Sequence, residues 1–287
     1  MKKAVFLTCG KYPDISDSDR LTVPYLTSLG ISVTAVPWTR RGVDWGQYDA
    51  VVMRSGWDYY RHYGRFLEFL GDLESAGTAL WNPPGLMRWN SHKSYKLDLA
   101  GRGIAVTPMV LWQRGRTDVT QDINRLPSDR VVVKPAVGLS AFGVSRHDKS
   151  DVTGIGKAVR RIHRQSDAVV ESYLPDVETA GESSFVFIGG EFTHHVRKIP
   201  KAGDFRAQPY LGSREFPEEA DPDYIRQART IIRSLPVTLY ARVDGIVTGG
   251  RLLLVELELI EPHLFFDLYP DSAGKFAGAL AGLIKSG

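Results

Sequence analysis

Cysteine is almost absent from the chain: Cys9 is the single thiol among 287 residues. One thiol excludes an internal disulfide framework and fits a reducing cytoplasm. It lies in the apolar run Ala4-Val5-Phe6-Leu7-Thr8-Cys9, where a packed core side chain is a simpler reading than a nucleophile. Long hydrophobic runs are missing as well. No segment approaches the ~20 apolar residues that a membrane span requires. Lys2-Lys3 precede an apolar stretch, but Lys11 and Asp14 cut it too short for a signal peptide. Neither sign of charge dominates, with 36 Lys and Arg against 33 Asp and Glu. The net charge of +3 suits an anionic ligand and gives no reason to expect nucleic acid. Zinc-type histidine spacing, internal repeats and low-complexity segments are all lacking. No G-x-G-x-x-G follows the first strand and no Gly-Lys-Ser/Thr closes a Walker A loop. Nicotinamide-binding Rossmann and P-loop readings are therefore poorly supported.

What is present is an ordinary globular composition, 43% hydrophobic and 24% charged, in a chain long enough for two or three subdomains. The first ~88 residues alternate strand and helix. Strands are expected at Ala4–Thr8, Ile31–Val36 and Ala50–Met53, with helices at Arg20–Leu29 and Phe66–Leu73. Short apolar strands between helices imply a parallel sheet covered on both faces. Asn82-Pro83-Pro84-Gly85 breaks the pattern and marks a domain boundary. Beyond it a helix at Ser91–Gly101 leads to strands at Ala105–Leu111, Val131–Val133, Ala168–Tyr173, Ser184–Ile188 and Glu191–Val196. Gly189-Gly190 is a two-residue hairpin turn, and a second hairpin joins Leu239–Val247 to Arg251–Leu259 around Thr248-Gly249-Gly250. Lys157, Arg160, Arg161 and Arg164 fall opposite Ile155, Val159 and Ile162 at helical spacing, which makes them a solvated helix face.

Three segments carry chemistry. In Leu252-Leu253-Leu254-Val255-Glu256-Leu257-Glu258-Leu259, two carboxylates on one strand face lie about 7 Å apart. Beside a run that is apolar on both faces they would repel and lose hydration unless a cation compensates. Oxygen ligands of this kind suit Mg²⁺, and Asp244 on the paired strand can add a third. An amphipathic strand with both glutamates in water is the plain alternative. The second segment runs from Val131 through Lys134-Pro135-Ala136-Val137-Gly138-Leu139-Ser140-Ala141-Phe142-Gly143-Val144. A lysine ending a buried strand, followed by a loop of small residues, fits phosphate oxygens; a hairpin turn with a solvated lysine is the alternative. The third, Val169-Val170-Glu171-Ser172-Tyr173-Leu174-Pro175, ends a strand at a proline. Its free backbone groups suit an adenine edge, or form an ordinary strand end.

Together these segments resemble the ATP-grasp superfamily, particularly its glutathione-synthetase-like branch, over most of the chain. The resemblance implies an α/β fold: a Rossmann-like pre-ATP-grasp domain (1–88), then a two-lobed ATP-grasp domain (89–287). Its small lobe would span 89–170 and its large lobe 171–287. It implies that Lys93 and Lys134 contact nucleotide phosphates, with Ser140 and Gly143 in the phosphate loop. Glu171, Tyr173 and Leu174 would frame adenine, and Glu182 (or Glu178) would bind ribose. Asp244, Glu256 and Glu258 would hold magnesium, although relatives often carry Asn where Glu258 stands. Arg197, Lys198 and Arg206 would steady the transferred phosphoryl group. A narrower similarity is to the cycloserine synthetase group, which cyclises O-ureido-D-serine. It rests on Leu7-Thr8-Cys9, Asp14–Arg20, Arg54-Ser55-Gly56-Trp57-Asp58-Tyr59, Asn82-Pro83 and Glu256–Pro262. Arg54, Trp57 and Asp58 follow a strand's carboxyl end, where open α/β sheets bind ligands, and are expected to touch the acceptor.

The implied activity is an ATP- and Mg²⁺-dependent ligase that converts a small carboxylate to an acyl phosphate for attack by an amine, within one molecule or between two. A phosphotransferase that stops before ligation, or a nucleotide-binding regulator, is the alternative. A homodimer is an open expectation.

Overall fold

The computed structural model describes residues 1–286. Four parallel strands form the N-terminal sheet: β1 (Lys2–Thr8), β2 (Ile31–Pro37), β3 (Ala50–Met53) and β4 (Leu80–Trp81), in the order β2-β1-β3-β4. Four antiparallel strands form a second sheet: β5 (Met109–Trp112), β6 (Arg130–Pro135), β7 (Ser145–Asp148) and β8 (Ala168–Ser172), ordered β5-β8-β6-β7. The third, also antiparallel, holds β9 (Glu182–Ile188), β10 (Glu191–Ile199), β11 (Arg214–Pro217), β12 (Tyr240–Thr248) and β13 (Arg251–Glu258), ordered β11-β10-β9-β12-β13.

Most expected strands are present within a few residues of their expected ends. Both hairpin turns form on glycine pairs with positive φ, 58° and 82° at Gly189-Gly190 and 55° and 74° at Gly249-Gly250. Only residues without a Cβ penalty take that left-handed geometry freely. The helix expected at Arg20–Leu29 is instead two short helices, Asp17–Arg20 and Val23–Ser28. Ser16 caps the first by accepting from the Asp19 N–H, and Pro24 starts the second. The helix expected at Ser91–Gly101 begins only at Tyr95, and a separate helix at Pro84–Asn90, not expected from the sequence, precedes it, leaving Lys93 in the connecting turn. The strand expected from Ala105 begins only at Met109, because the Ala105–Thr107 backbone bonds Leu254 of β13 instead. Helices at Pro222–Arg233 and Asp271–Ser286 were not foreseen.

One face of the N-terminal sheet shares a core with the third sheet. Ala4, Phe6 and Val52 pack with Val186, Ile188 and Tyr240, and with Phe276 and Leu280 of the C-terminal helix. The other face buries Cys9 with Val5, Leu7, Trp38 and Phe66, so the thiol is a core residue. Helix Val152–Ile162 lays Ile155, Val159 and Ile162 on the second sheet and leaves Lys157, Arg160, Arg161 and Arg164 exposed.

The Asn82 break is stitched into the third sheet. Its buried side chain donates to the carbonyls of Tyr240 and Leu259 (both 2.8 Å) and accepts from the Leu239 N–H (2.8 Å). Asn90 pairs in the same way with Leu257 and Leu259, and the Leu257 N–H donates to the Tyr95 hydroxyl (2.8 Å). These side chains satisfy the outer edge of β13, an edge strand that would otherwise leave backbone groups unpaired.

Candidate active site

Between the second and third sheets lies a cavity of about 530 Å³. Strand alternation decides what faces it. On β6, Val131 and Val133 enter the core beneath helix Val152–Ile162, while Val132 and Lys134 line the cavity. On β8, Ala168 and Val170 face that core, and Glu171 faces the cavity. The third sheet supplies Glu182 from β9, Lys198 from β10, Arg242 and Asp244 from β12, and Glu256 and Glu258 from β13.

A β-bulge presents the last two. Asp244 pairs with Glu256 but Gly245 pairs with Leu254, so Val255 is the additional residue. Before the bulge the even positions Leu252 and Leu254 face the core; after it the odd positions Leu257 and Leu259 do. Without that shift of one residue, Glu256 and Glu258 would share the core face with Leu252 and Leu254. Gly245 permits the bulge, since a Cβ there would stand 2.6 Å from Leu252 Cδ1 and 2.9 Å from the Leu253 carbonyl.

The charges interlock. Lys134 Nζ lies 2.6 Å from Glu171 Oε1, and Lys96 Nζ lies 2.8 Å from Glu171 Oε2. Burial pushes the Glu171 carboxyl up, but the two ammonium groups outweigh it and bring it down to about 2. Lys96, wholly buried, is lowered to about 8 by burial against the pull of Glu171. Lys93 Nζ donates to the Gly138 carbonyl (2.9 Å) and lies 2.9 Å from Glu256 Oε1, so it joins the phosphate-type loop to the metal-type strand. Asp244 is held by Arg242 (Nη2–Oδ2 2.9 Å), Lys198 (3.4 Å) and the Ser184 hydroxyl. Lys198 also meets Glu182, and Arg242 also meets Glu258. Burial, with the nearby Asp244 and Glu256 charges, lifts Glu258 to about 8 against the pull of Arg242. Glu256 moves the other way, because Lys93 and Lys134 overcome its burial.

Among the described residues, no three of His, Cys, Asp and Glu gather into a ready cage for a metal ion. Asp244, expected as a third ligand, is paired with Arg242, Lys198 and Ser184, as Glu256 is with Lys93 and Glu258 with Arg242. Glu256 and Glu258 nevertheless fit Mg²⁺. Both are oxygen donors on the cavity face, and Glu258 is crowded by other carboxylates. Mg²⁺ typically takes one or two protein carboxylates and completes its shell with phosphates and water.

One part of the wall is apolar, where Val132, Tyr173, Leu174, Val177 and Ile246 cluster. Of the two ribose candidates, Glu182 lines the cavity. Glu178 is engaged by Arg146 (2.6 Å) and the Tyr173 hydroxyl. Ser140 lies on the wall with φ 53° and its carbonyl accepts from Tyr210. Gly143, at φ 72°, packs against Pro135 and shapes the loop. Arg206 lines the cavity, chelated by Asp204 (Nη2–Oδ2 2.7 Å). Arg197 does not: next to Lys198 on β10, it turns to the opposite face and pairs with Glu218 (3.0 Å). Of the three expected acceptor contacts, Trp57 reaches the cavity. Arg54 is buried, bonding Asp19 (2.7 Å) and the Pro262 carbonyl (3.0 Å), and Asp58 accepts from the Trp38 indole (2.6 Å).

Lys96, Arg242 and Glu261 line or support the site without having been singled out from the sequence. Arg242 was visible as the i−2 partner of Asp244. Lys96 shares the buried side of its helix with Tyr95 and Leu99, a lysine where an apolar residue belongs.

Comparison with known proteins bears on this arrangement. Residues 105–261 match the prokaryotic glutathione synthetase ATP-grasp domain. The cycloserine biosynthesis protein DcsG of Streptomyces lavendulae is 30% identical over 276 residues, 90% of this chain and 91% of that one. The chain belongs to the ATP-grasp ligases. Residues 4–82 match the N-terminal domain of D-cycloserine synthetase DcsG. The crystal structure of D-cycloserine synthetase DcsG superposes with a TM-score of 0.85 at 25% identity, covering 98% of this chain and 99% of that one. D-alanine–D-alanine ligase from Bacillus anthracis complexed with ATP matches in fold, with a TM-score of 0.69 at 16% identity over 100% of this chain and 97% of that one. The expected α/β architecture of a pre-ATP-grasp domain followed by an ATP-grasp domain is thus the observed one. As an ATP-grasp ligase the chain is an ATP-dependent enzyme that forms C–N bonds. No described helix is long and apolar enough to cross a membrane.

Proposed function

We propose that this ATP-grasp ligase transfers the γ-phosphoryl group of ATP to the carboxylate of a small substrate, and that an amine-type nucleophile then displaces phosphate. A free carboxylate is a poor electrophile, whereas phosphate leaves readily. The enzyme's work is therefore positioning and charge neutralisation. One observation carries the reading: the lysines Lys93 and Lys134 share a cavity with the paired carboxylates Glu256 and Glu258.

In this reading the apolar cluster around Val132, Leu174 and Ile246 takes adenine and Glu182 takes ribose hydroxyls. Lys93, Lys134 and the Gly138–Val144 loop take phosphate oxygens. Glu256 and Glu258 hold Mg²⁺, which supplies neutralisation of phosphate charge when bound. Asp244 keeps Arg242 and Lys198 oriented. Lys198 and Arg206 face the charge that develops on the moving phosphoryl group, while Arg197, on the opposite face, acts only through the strand. Similarity to cycloserine synthetase favours an intramolecular closure of an O-ureido-D-serine type of substrate. The test is Glu256→Gln, assayed by ADP release over a panel of amino acids and O-ureido-D-serine. Turnover should fall at least a hundredfold with thermal stability preserved; near-normal turnover would remove the metal assignment.

A further inference from the structure

Glu261 is a buried cavity carboxylate that takes no part in the nucleotide and metal contacts described above. It follows β13, lies 5% exposed, and lines the cavity with Oε2 lacking any hydrogen-bond partner. A buried carboxylate oxygen without a donor costs several kcal/mol of solvation, so such a group is retained where a ligand supplies the donor. Its neighbour on the wall is Trp57, whose indole N–H donates to the Glu261 backbone carbonyl (3.3 Å). Tyr12 packs edge-on against Trp57, with ring centroids 5.4 Å apart, and so steadies the indole. Neither Trp57 nor Glu261 belongs to the apolar cluster assigned to adenine. An aromatic ring and an unpaired carboxylate on the same cavity wall are the combination that takes an ammonium group, by charge-assisted hydrogen bonds and cation–π attraction.

We infer that Glu261 and Trp57 form a subsite for the ammonium group of an amino-acid-type substrate, whose carboxylate is the group activated. The assignment rests on the ligase reading above and names the residues that select a zwitterion over the corresponding hydroxy acid. It also gives Glu261 a role distinct from that of Glu256 and Glu258: substrate selection and not metal binding.

The experiment measures thermal shifts of the full chain with AMP-PNP and Mg²⁺. The probes are O-ureido-D-serine and both enantiomers of the common amino acids, each set against the hydroxy acid in which oxygen replaces the amino group. At least one amino acid should raise the melting temperature while its hydroxy-acid counterpart does not. Glu261→Gln should abolish that shift and Trp57→Leu should reduce it, with the AMP-PNP shift unchanged in both. The inference is overturned if no amino acid gives a shift, if hydroxy acids match amino acids, or if the shift survives in Glu261→Gln. A Glu261→Gln protein that instead loses its Mg²⁺-dependent AMP-PNP shift would place Glu261 in the metal shell and also overturn it. Failure of AMP-PNP to shift the wild type would strike the ligase reading itself.

Discussion

Glu171 shows how much one buried side chain can hold. It anchors two lysines, and those ammonium groups depress its carboxyl from 4.5 to about 2. A carboxyl depressed by folding stabilises the fold above its unfolded value, and that contribution is lost as pH falls through the folded value. The window is therefore pH 4.5 down to about 2, and the depression corresponds to roughly 3 kcal/mol. Glu171→Gln would strand Lys134 and Lys96 and should cost about 3–5 kcal/mol near neutral pH. It should also flatten the fall in stability across that acid window. Urea denaturation of both proteins at stepped pH values measures both effects. An unchanged acid slope would show that the pair contributes nothing.

Among the elements, β13 decides whether there is a site. Its bulge turns two glutamates out of the core, and Gly245 is the residue that lets the strands approach. Gly245→Ala forces the Leu253 backbone or the Leu252 side chain to move and should cost about 1–3 kcal/mol. ADP release should fall more than stability does, because Glu256 and Glu258 lose their direction. A variant as stable and as active as the parent would show that the bulge adapts. The paired carboxylates were legible because two charges beside Leu252–Val255 demand an explanation; the bulge was not, because its signal is only a glycine on the opposite strand. Helix–strand alternation gave the parallel sheet, and the glycine pairs gave both hairpins. Arg54 was misleading for a physical reason. It follows a strand end, as binding residues do, but Asp19 and the Pro262 carbonyl claim it, and these lie 35 and 208 positions away in sequence. Arg197 and Lys198 are adjacent in the basic segment, and only the pleat of β10 separates their roles. Lys96 needed a partner on a distant strand, Glu171, before its burial made sense.

At the scale of the molecule, the N-terminal sheet is not a detachable module. Its Phe6 and Val52 share a core with Tyr240 and Phe276, and Tyr240 donates to the Met53 carbonyl (2.6 Å). Asn82 closes the same seam with three buried hydrogen bonds. Scanning calorimetry should give one transition that includes the N-terminal sheet, and Asn82→Ala should lower its midpoint at a cost of about 2–4 kcal/mol. A separate early transition for residues 1–82 would contradict the shared core. The seam reaches Leu259, next to Glu258, and two residues further on the Glu261 carbonyl accepts from the Trp57 indole. In the proposed reading this brings the nucleotide pocket, the carboxylate pair and the acceptor wall to one cavity, where a substrate carboxylate would meet a phosphoryl group.

That meeting is tested most directly by trapping. With ATP, Mg²⁺ and the amino acid or O-ureido-D-serine that supports ADP release, hydroxylamine should intercept the activated carboxylate. One acyl hydroxamate should form for each ADP, and none with Glu256→Gln. ADP released with no hydroxamate, or with a stable phosphorylated hydroxyl as the product, would contradict the proposed activation.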